Sequence, residues 1–139
     1  MQRATLLGAF LLLAGCYSPA SSDVETGITA QSEAEVALIG AAELAQLLEQ
    51  DKVILVDVRT PAEFAEARLH GALNGPLQTF DPAMIPQEEL RETILYCRSS
   101  GRSGRAAKIL ADHLGKRVRH MEGGIIAWQD AGLPAVSQP

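Results

Sequence analysis

Cysteine is nearly absent: the 139-residue chain holds two, Cys16 and Cys97. Two thiols exclude a scaffold built on disulfides and a cysteine-rich zinc site. Positive charge is also short, with 12 Lys and Arg against 17 Asp and Glu and a formal net charge of −5. Such a surface offers no basic face for phosphate contacts, so nucleic acid is not an expected partner. Nor is there an apolar run long enough to cross a bilayer as a helix: residues 4–15 form the longest, and about 20 residues would be needed. What the chain does have is an ordinary apolar fraction of 47%. That is too high for wholesale disorder and, at this length, suits one domain.

Residues 1–3 carry one positive charge and residues 4–15 are uncharged and almost wholly apolar, the pattern of a secretory signal peptide. The run ends in Leu13-Ala14-Gly15-Cys16, which resembles the lipoprotein cleavage site of bacteria, where small residues admit the peptidase and the cysteine accepts diacylglycerol. The resemblance implies a signal peptide over 1–15, lipidation at Cys16, and an exported chain held to a membrane by acyl chains. Tyr17, where an Asp would retain such proteins at the inner membrane, implies the outer membrane, facing the periplasm. A soluble export signal cleaved nearby, or an internal apolar helix, is the alternative. From 16 to 35 the composition turns to Ser, Thr, Ala, Gly and acidic residues, the signature of a flexible tether. The domain is expected over 36–139.

Within it, strand and helix signals alternate. Val36–Ile39 reads as a short strand. Leu44, Leu47 and Leu48 give Ala41–Glu49 a helical period. The continuous run Val53–Val58 suits a strand covered on both faces. Thr60-Pro61-Ala62-Glu63 supplies an N-cap, a proline at the first helical position and a glutamate at the third. Residues 72–77 form a weak strand, and 78–90 an irregular excursion with at most one short helix. Thr93–Tyr96 is a strand running into Cys97, Ser103–Leu114 a helix, Arg117–Met121 a strand, and Gly124–Ala131 a helix closed by Gly132 and Pro134. This alternation predicts an α/β fold, a parallel sheet with helices on both faces.

The segment from Cys97 to Arg105 carries the chemistry. A buried strand ends at the thiol, a loop of Arg98, Ser99, Ser100, Gly101 and Arg102 follows, and a helix begins at Ser103. Backbone N–H groups of such a loop can converge on one point, to which the helix adds partial positive charge. A thiol there titrates below its free value, because the thiolate is the stabilised form. Arg98, Arg102 and Arg105 add three cations. The arrangement is built for anions: the thiolate itself and an anionic substrate. A cysteine serving only as a small core residue would have no use for three flanking arginines.

Cys97-Arg98-Ser99-Ser100-Gly101-Arg102 resembles the active-site loop of rhodanese-type sulfurtransferases. Leu55-Val56-Asp57-Val58-Arg59 with Glu63-Phe64 is similar to that family's DVR…EF segment, and Gly71-Ala72-Leu73-Asn74-Gly75-Pro76 to its GAxNxP turn. Gly123-Gly124-Ile125-Ile126-Ala127-Trp128 with Ala131-Gly132-Leu133-Pro134 is similar to its GGxxAW…AGLP end. The fragments follow in order over residues 36–136. One departure stands out: Ala67-Arg68 occupies the place of the family's Gly-His, so that Arg68 either alters the rim of the site or faces solvent.

The resemblance implies a rhodanese-like fold and covalent catalysis in which the Cys97 thiolate takes the sulfane sulfur of a donor such as thiosulfate, becomes a persulfide, and yields the sulfur to cyanide or a thiol. It implies no metal and no organic cofactor. Cys97 is the expected nucleophile, with Arg98, Ser99, Ser100, Gly101, Arg102 and Ser103 forming the substrate cradle. Arg98 and Arg102 would pair with a sulfonate, favouring thiosulfate over mercaptopyruvate.

Two other readings compete. A cysteine phosphatase or arsenate reductase would need an arginine six residues after the cysteine; Ser103 stands there, and the arginine falls one residue early. A non-catalytic sulfur-carrying or binding module usually lacks the cysteine. Asp57 and Arg59, following the buried strand, read first as a structural ion pair and second as a support for the site. His70, His113 and His120 lack metal-like spacing and read as surface or satisfied side chains, not as a general base. Gly123-Gly124 reads as a place where backbone approaches the loop.

Overall fold

Val53–Asp57 (β2) is apolar on both sides of its pleat up to Asp57, and a strand of that composition must be covered on both faces. In a computed structural model, which describes residues 34–137, all five of its residues are buried. The leader, Cys16 and nearly all of the expected tether lie outside the described residues. Among those described, no helix is long and apolar enough to cross a membrane.

Five strands form one parallel sheet: Val36–Ile39 (β1), β2, Leu73–Asn74 (β3), Glu92–Tyr96 (β4) and Val118–Met121 (β5). Their spatial order is β1-β5-β4-β2-β3, so the chain reverses direction of growth across the sheet. Ala41–Glu49 (α1) and Gly124–Asp130 (α4) cover one face, where Leu44, Leu55, Ile94, Tyr96 and Trp128 pack together. Gly101–Leu114 (α3) covers the other, packing Ala106, Ala107 and Leu110 against Val56, Leu95 and Cys97. The expected architecture is present, and the β4 end falls beside both β2 and β5, at the carboxyl edge where this class of sheet binds ligands.

Pro61–Glu66 (α2) begins as its sequence dictates. The Thr60 hydroxyl accepts from the Glu63 N–H at 3.3 Å, while the Glu63 carboxylate accepts from the Thr60 N–H at 3.1 Å. Two details differ from the sequence reading. The excursion after β3 holds two short 3₁₀ turns, Leu77–Thr79 and Pro82–Met84, the second capped by Asp81. And α3 starts at Gly101, two residues earlier than expected, because Ser100 makes the whole turn with a φ of 84°.

Candidate active site

Cys97 is 1% exposed, the first residue beyond β4. Burial by itself raises a thiol's pKa, yet that of Cys97 is lowered. The Ser103 hydroxyl and the backbone N–H groups of Ser103, Ser99 and Arg102 lie around the sulfur and favour its anion by more than the loss of solvent disfavours it. These donors converge because the chain turns within Ser99–Ser100 and enters a helix at once. Ser100 holds its unusual φ because its hydroxyl is fixed from another element: it accepts from the Gly123 N–H at 2.6 Å and lies 3.4 Å from the Met121 carbonyl.

The loop is also clamped from behind. The Ile125 N–H donates to the Cys97 carbonyl at 2.8 Å and the Ile126 N–H to that of Arg98 at 3.3 Å. The first turn of α4 is thus laid directly on the backbone of the loop. The approach suggested by the glycine pair is real, and Gly124 is the point of contact.

Of the three arginines, Arg102 is committed. Its Nη1 and Nη2 each donate to Glu63 at 2.7 Å, tying α3 to α2. Sequence reasoning assigned Glu63 only to helix capping; its second role depends on two segments 39 residues apart. Arg98 and Arg105 are exposed and enter no ion pair among the described residues. Ser99, Gly101 and Arg98 form the open rim of the loop, and Ser103 its buried floor.

The Arg102 hydrogen bond, together with those from Thr60, lowers the Glu63 carboxyl to about 2 from an ordinary 4.5, against a smaller opposing effect of burial. Since the unfolded chain binds the proton more readily, the stabilisation is complete above pH 4.5 and drains away as the pH falls toward 2. The pair is partly solvated, so at neutral pH Glu63→Gln is expected to cost only about 1 kcal/mol. Denaturant unfolding followed through that acid window should show a shallower pH slope in the variant; parallel slopes would count against the ion pair.

Asp57 and Arg59 are buried and saturate each other. Arg59 donates its backbone N–H and Nε to Asp57 Oδ1 at 2.9 Å, and its Nη2 to Asp57 Oδ2 and to the Ala67 carbonyl. Its guanidinium lies 5.8 Å from the centre of the Tyr96 ring. The Asn74 amide donates to the carbonyls of both Asp57 and Arg59 at 3.0 Å. These groups are turned into the fold, and the ion pair lies at the carboxyl edge of β2. Arg68 is half-buried, its guanidinium 4.9 Å from the centre of the Phe64 ring, and its backbone pairs with Val136. His70 and His113 are exposed, whereas His120 is buried with its Nδ1 3.1 Å from Ser103 Oγ.

A cleft of about 540 Å³ lies among Leu48, Leu55, Trp128 and Leu133 and does not include Cys97. The Cys97 thiol is instead buried beneath its own loop. A parallel α/β sheet that presents one cysteine to converging amides defines a class of domain that stabilises a sulfur anion. The rhodanese-like domain pattern matches residues 40–131, and the chain belongs to the rhodanese-like domain family. It is 47% identical over 93 residues to an uncharacterized protein of Synechocystis sp., a match covering 67% of this chain and 52% of that protein; the chain thus spans about half the length of that relative. It is 39% identical over 92 residues to a sulfurtransferase of Allochromatium vinosum, covering 66% of this chain and 86% of the relative. A crystal structure of a rhodanese-related protein from Thermoplasma volcanium superposes with a TM-score of 0.62 at 26% identity, over 70% of this chain and 95% of that one.

Proposed function

We propose that this protein is a sulfurtransferase that moves sulfane sulfur from thiosulfate, or a donor like it, through a Cys97 persulfide to cyanide or a thiol. The observation that carries the reading is the placement of Cys97, buried at the end of β4 where the loop amides and Ser103 gather at the start of α3, an environment that favours the thiolate. The sulfurtransferase of Allochromatium vinosum supports it as a relative of similar extent.

The chemistry follows from that geometry. The Cys97 thiolate attacks the outer sulfur of thiosulfate, a new S–S bond forms, and the old one breaks, so that sulfite leaves with the bonding pair. The terminal sulfur of the persulfide is again anionic, and the same donors hold it. An acceptor nucleophile then attacks that terminal sulfur, the persulfide bond breaks, and its electron pair returns to Cys97 as thiolate. Cyanide leaves as thiocyanate; a thiol leaves as its own persulfide. No proton needs to be taken from the nucleophile once it is ionised.

Because Arg102 is held by Glu63, the sulfonate end of the donor falls to Arg98 and to the N–H groups of the rim. The phosphatase reading is weakened at the same point: that chemistry needs an arginine wrapped around an oxyanion, and here Ser103 occupies the position while Arg102 turns to α2. Incubation of the purified chain with thiosulfate is expected to add the mass of one sulfur atom to Cys97 and to release it on addition of cyanide, with mercaptopyruvate a poorer donor. A mass unchanged by both donors would refute the proposal. Faster loading by mercaptopyruvate would overturn the preference alone.

A further inference from the structure

The buried imidazole of His120 has no part in the mechanism above. His120 is on β5, opposite Leu95 of β4 in the parallel register, and Cys97 follows Leu95 by two residues. Period two along the strand brings His120 and the cysteine to the same face of the sheet, the face that α3 covers. There its Nδ1 lies 3.1 Å from Ser103 Oγ, and Ser103 is wholly buried. The neighbours of the imidazole carry no charge. Leu38 of β1 and Leu95 of β4 flank it in the sheet, Ser103 and Gly104 of α3 lie over it, and Arg119 before it is taken by Glu43 and Glu92. The nearest cation of the loop, Arg102, is held by Glu63.

We infer that His120 is a positioning residue for the nucleophile: its Nδ1–H donates to Ser103 Oγ and so turns the one hydroxyl proton of Ser103 onto the Cys97 sulfur. The inference rests on Cys97 being the nucleophile of the proposed reaction. A serine hydroxyl has one proton to give and two lone pairs to receive. Around Ser103 Oγ are three groups able to accept that proton: the Ser100 carbonyl at 3.0 Å, the His120 ring nitrogen at 3.1 Å, and the sulfur. If Nδ1 is bare, it accepts the hydroxyl proton and the thiolate loses a donor. If Nδ1 carries hydrogen, it becomes a donor, and the hydroxyl chooses between a neutral carbonyl and an anion. The anion wins, since hydrogen bonds to charged acceptors are about twice as strong.

Burial also lowers the pKa of His120, which keeps the ring neutral and makes its tautomer the variable that matters. The same relay serves the persulfide, whose terminal sulfur is anionic like the thiolate. No proton is transferred between residues in this arrangement. One is merely aimed.

The test is the pH dependence of Cys97 alkylation by iodoacetamide in the purified chain, which reads the thiolate fraction without any sulfur donor. His120→Leu and Ser103→Ala are each expected to leave about tenfold less thiolate at a given pH below the midpoint. The double variant should match Ser103→Ala alone, since His120 acts only through that hydroxyl. His120→Asn, whose amide N–H can take the place of Nδ1–H, should recover most of the loss. An unchanged alkylation profile in His120→Leu, or additive losses in the double variant, would overturn the inference. Nitrogen-15 NMR of His120 in the unmutated chain gives a second reading that needs no variant to fold. Hydrogen on Nδ1 while Cys97 is ionised supports the relay, and hydrogen on Nε2 alone in that state refutes it. Neither measurement involves sulfur transfer, so an intact relay in a chain that never loads sulfur would sink the proposed function while leaving the effect of His120 on the Cys97 thiolate in place.

Discussion

Replacement of Cys97 by serine is expected to lower thiocyanate formation from thiosulfate and cyanide by at least about a thousandfold, or roughly 4 kcal/mol of transition-state stabilisation. A serine hydroxyl is not ionised at neutral pH, and even four donors cannot bring it there. Its oxygen is also a poor partner for sulfane sulfur, so the covalent intermediate is lost along with its anion. Serine is the informative substitution here, because the site is crowded with donors. The Ser103 hydroxyl and three backbone N–H groups are directed at the sulfur in a position only 1% exposed. Alanine would leave them facing a methyl group, with a desolvation cost of about 1–3 kcal/mol for each donor left unpaired. The serine oxygen can accept from them, so the fold should survive and the loss be chemical. A Cys97→Ser variant that melts like the parent and retains a tenth of its turnover would remove the nucleophile from the mechanism.

Gly124→Ala is expected to destabilise the domain by about 3–5 kcal/mol, although it adds a single methyl group. An added Cβ would lie 2.3 Å from the Cys97 carbonyl oxygen and 2.5 Å from the carbonyl carbon and oxygen of Arg98. All three are backbone atoms of the Cys97 loop, so no side chain can swing aside. Gly124 also has a φ of 59°, which alanine resists on its own account. Relief requires α4 to back away, and doing so breaks the hydrogen bonds from Ile125 and Ile126 that clamp the loop. Whatever protein remains folded should therefore have a less acidic Cys97. Gly101→Ala is the matched control: nothing lies within 4 Å of its added methyl, and its φ is not positive. It should change stability by less than about 1 kcal/mol. Comparable urea midpoints for the two alanine variants would contradict the close approach.

What was legible in the chain was local. The β-branched run of β2 can only be a strand buried on both faces. Thr60, Pro61 and Glu63 build their own helix start, and all their capping contacts span three residues or fewer. The position of Cys97 between an apolar strand and a Gly/Ser turn was equally visible, since strand, turn and helix are consecutive. Even the glycine pair announced itself, because two adjacent glycines after a strand have few other uses.

What the sequence by itself determined, then, is every feature whose cause lies within a turn or two of backbone: the alternation of elements, the helix caps, and a thiol placed to meet amide groups. The tertiary structure decided the partners. That Arg102 faces Glu63 rather than a ligand, that Ser100 is pinned by Gly123, and that His120 meets Ser103 all follow from the order in which the strands line up. Strand order is fixed by the burial of whole faces of the sheet. No residue carries it alone, and a charge's destination or a histidine's neighbour can be read only once those faces have closed.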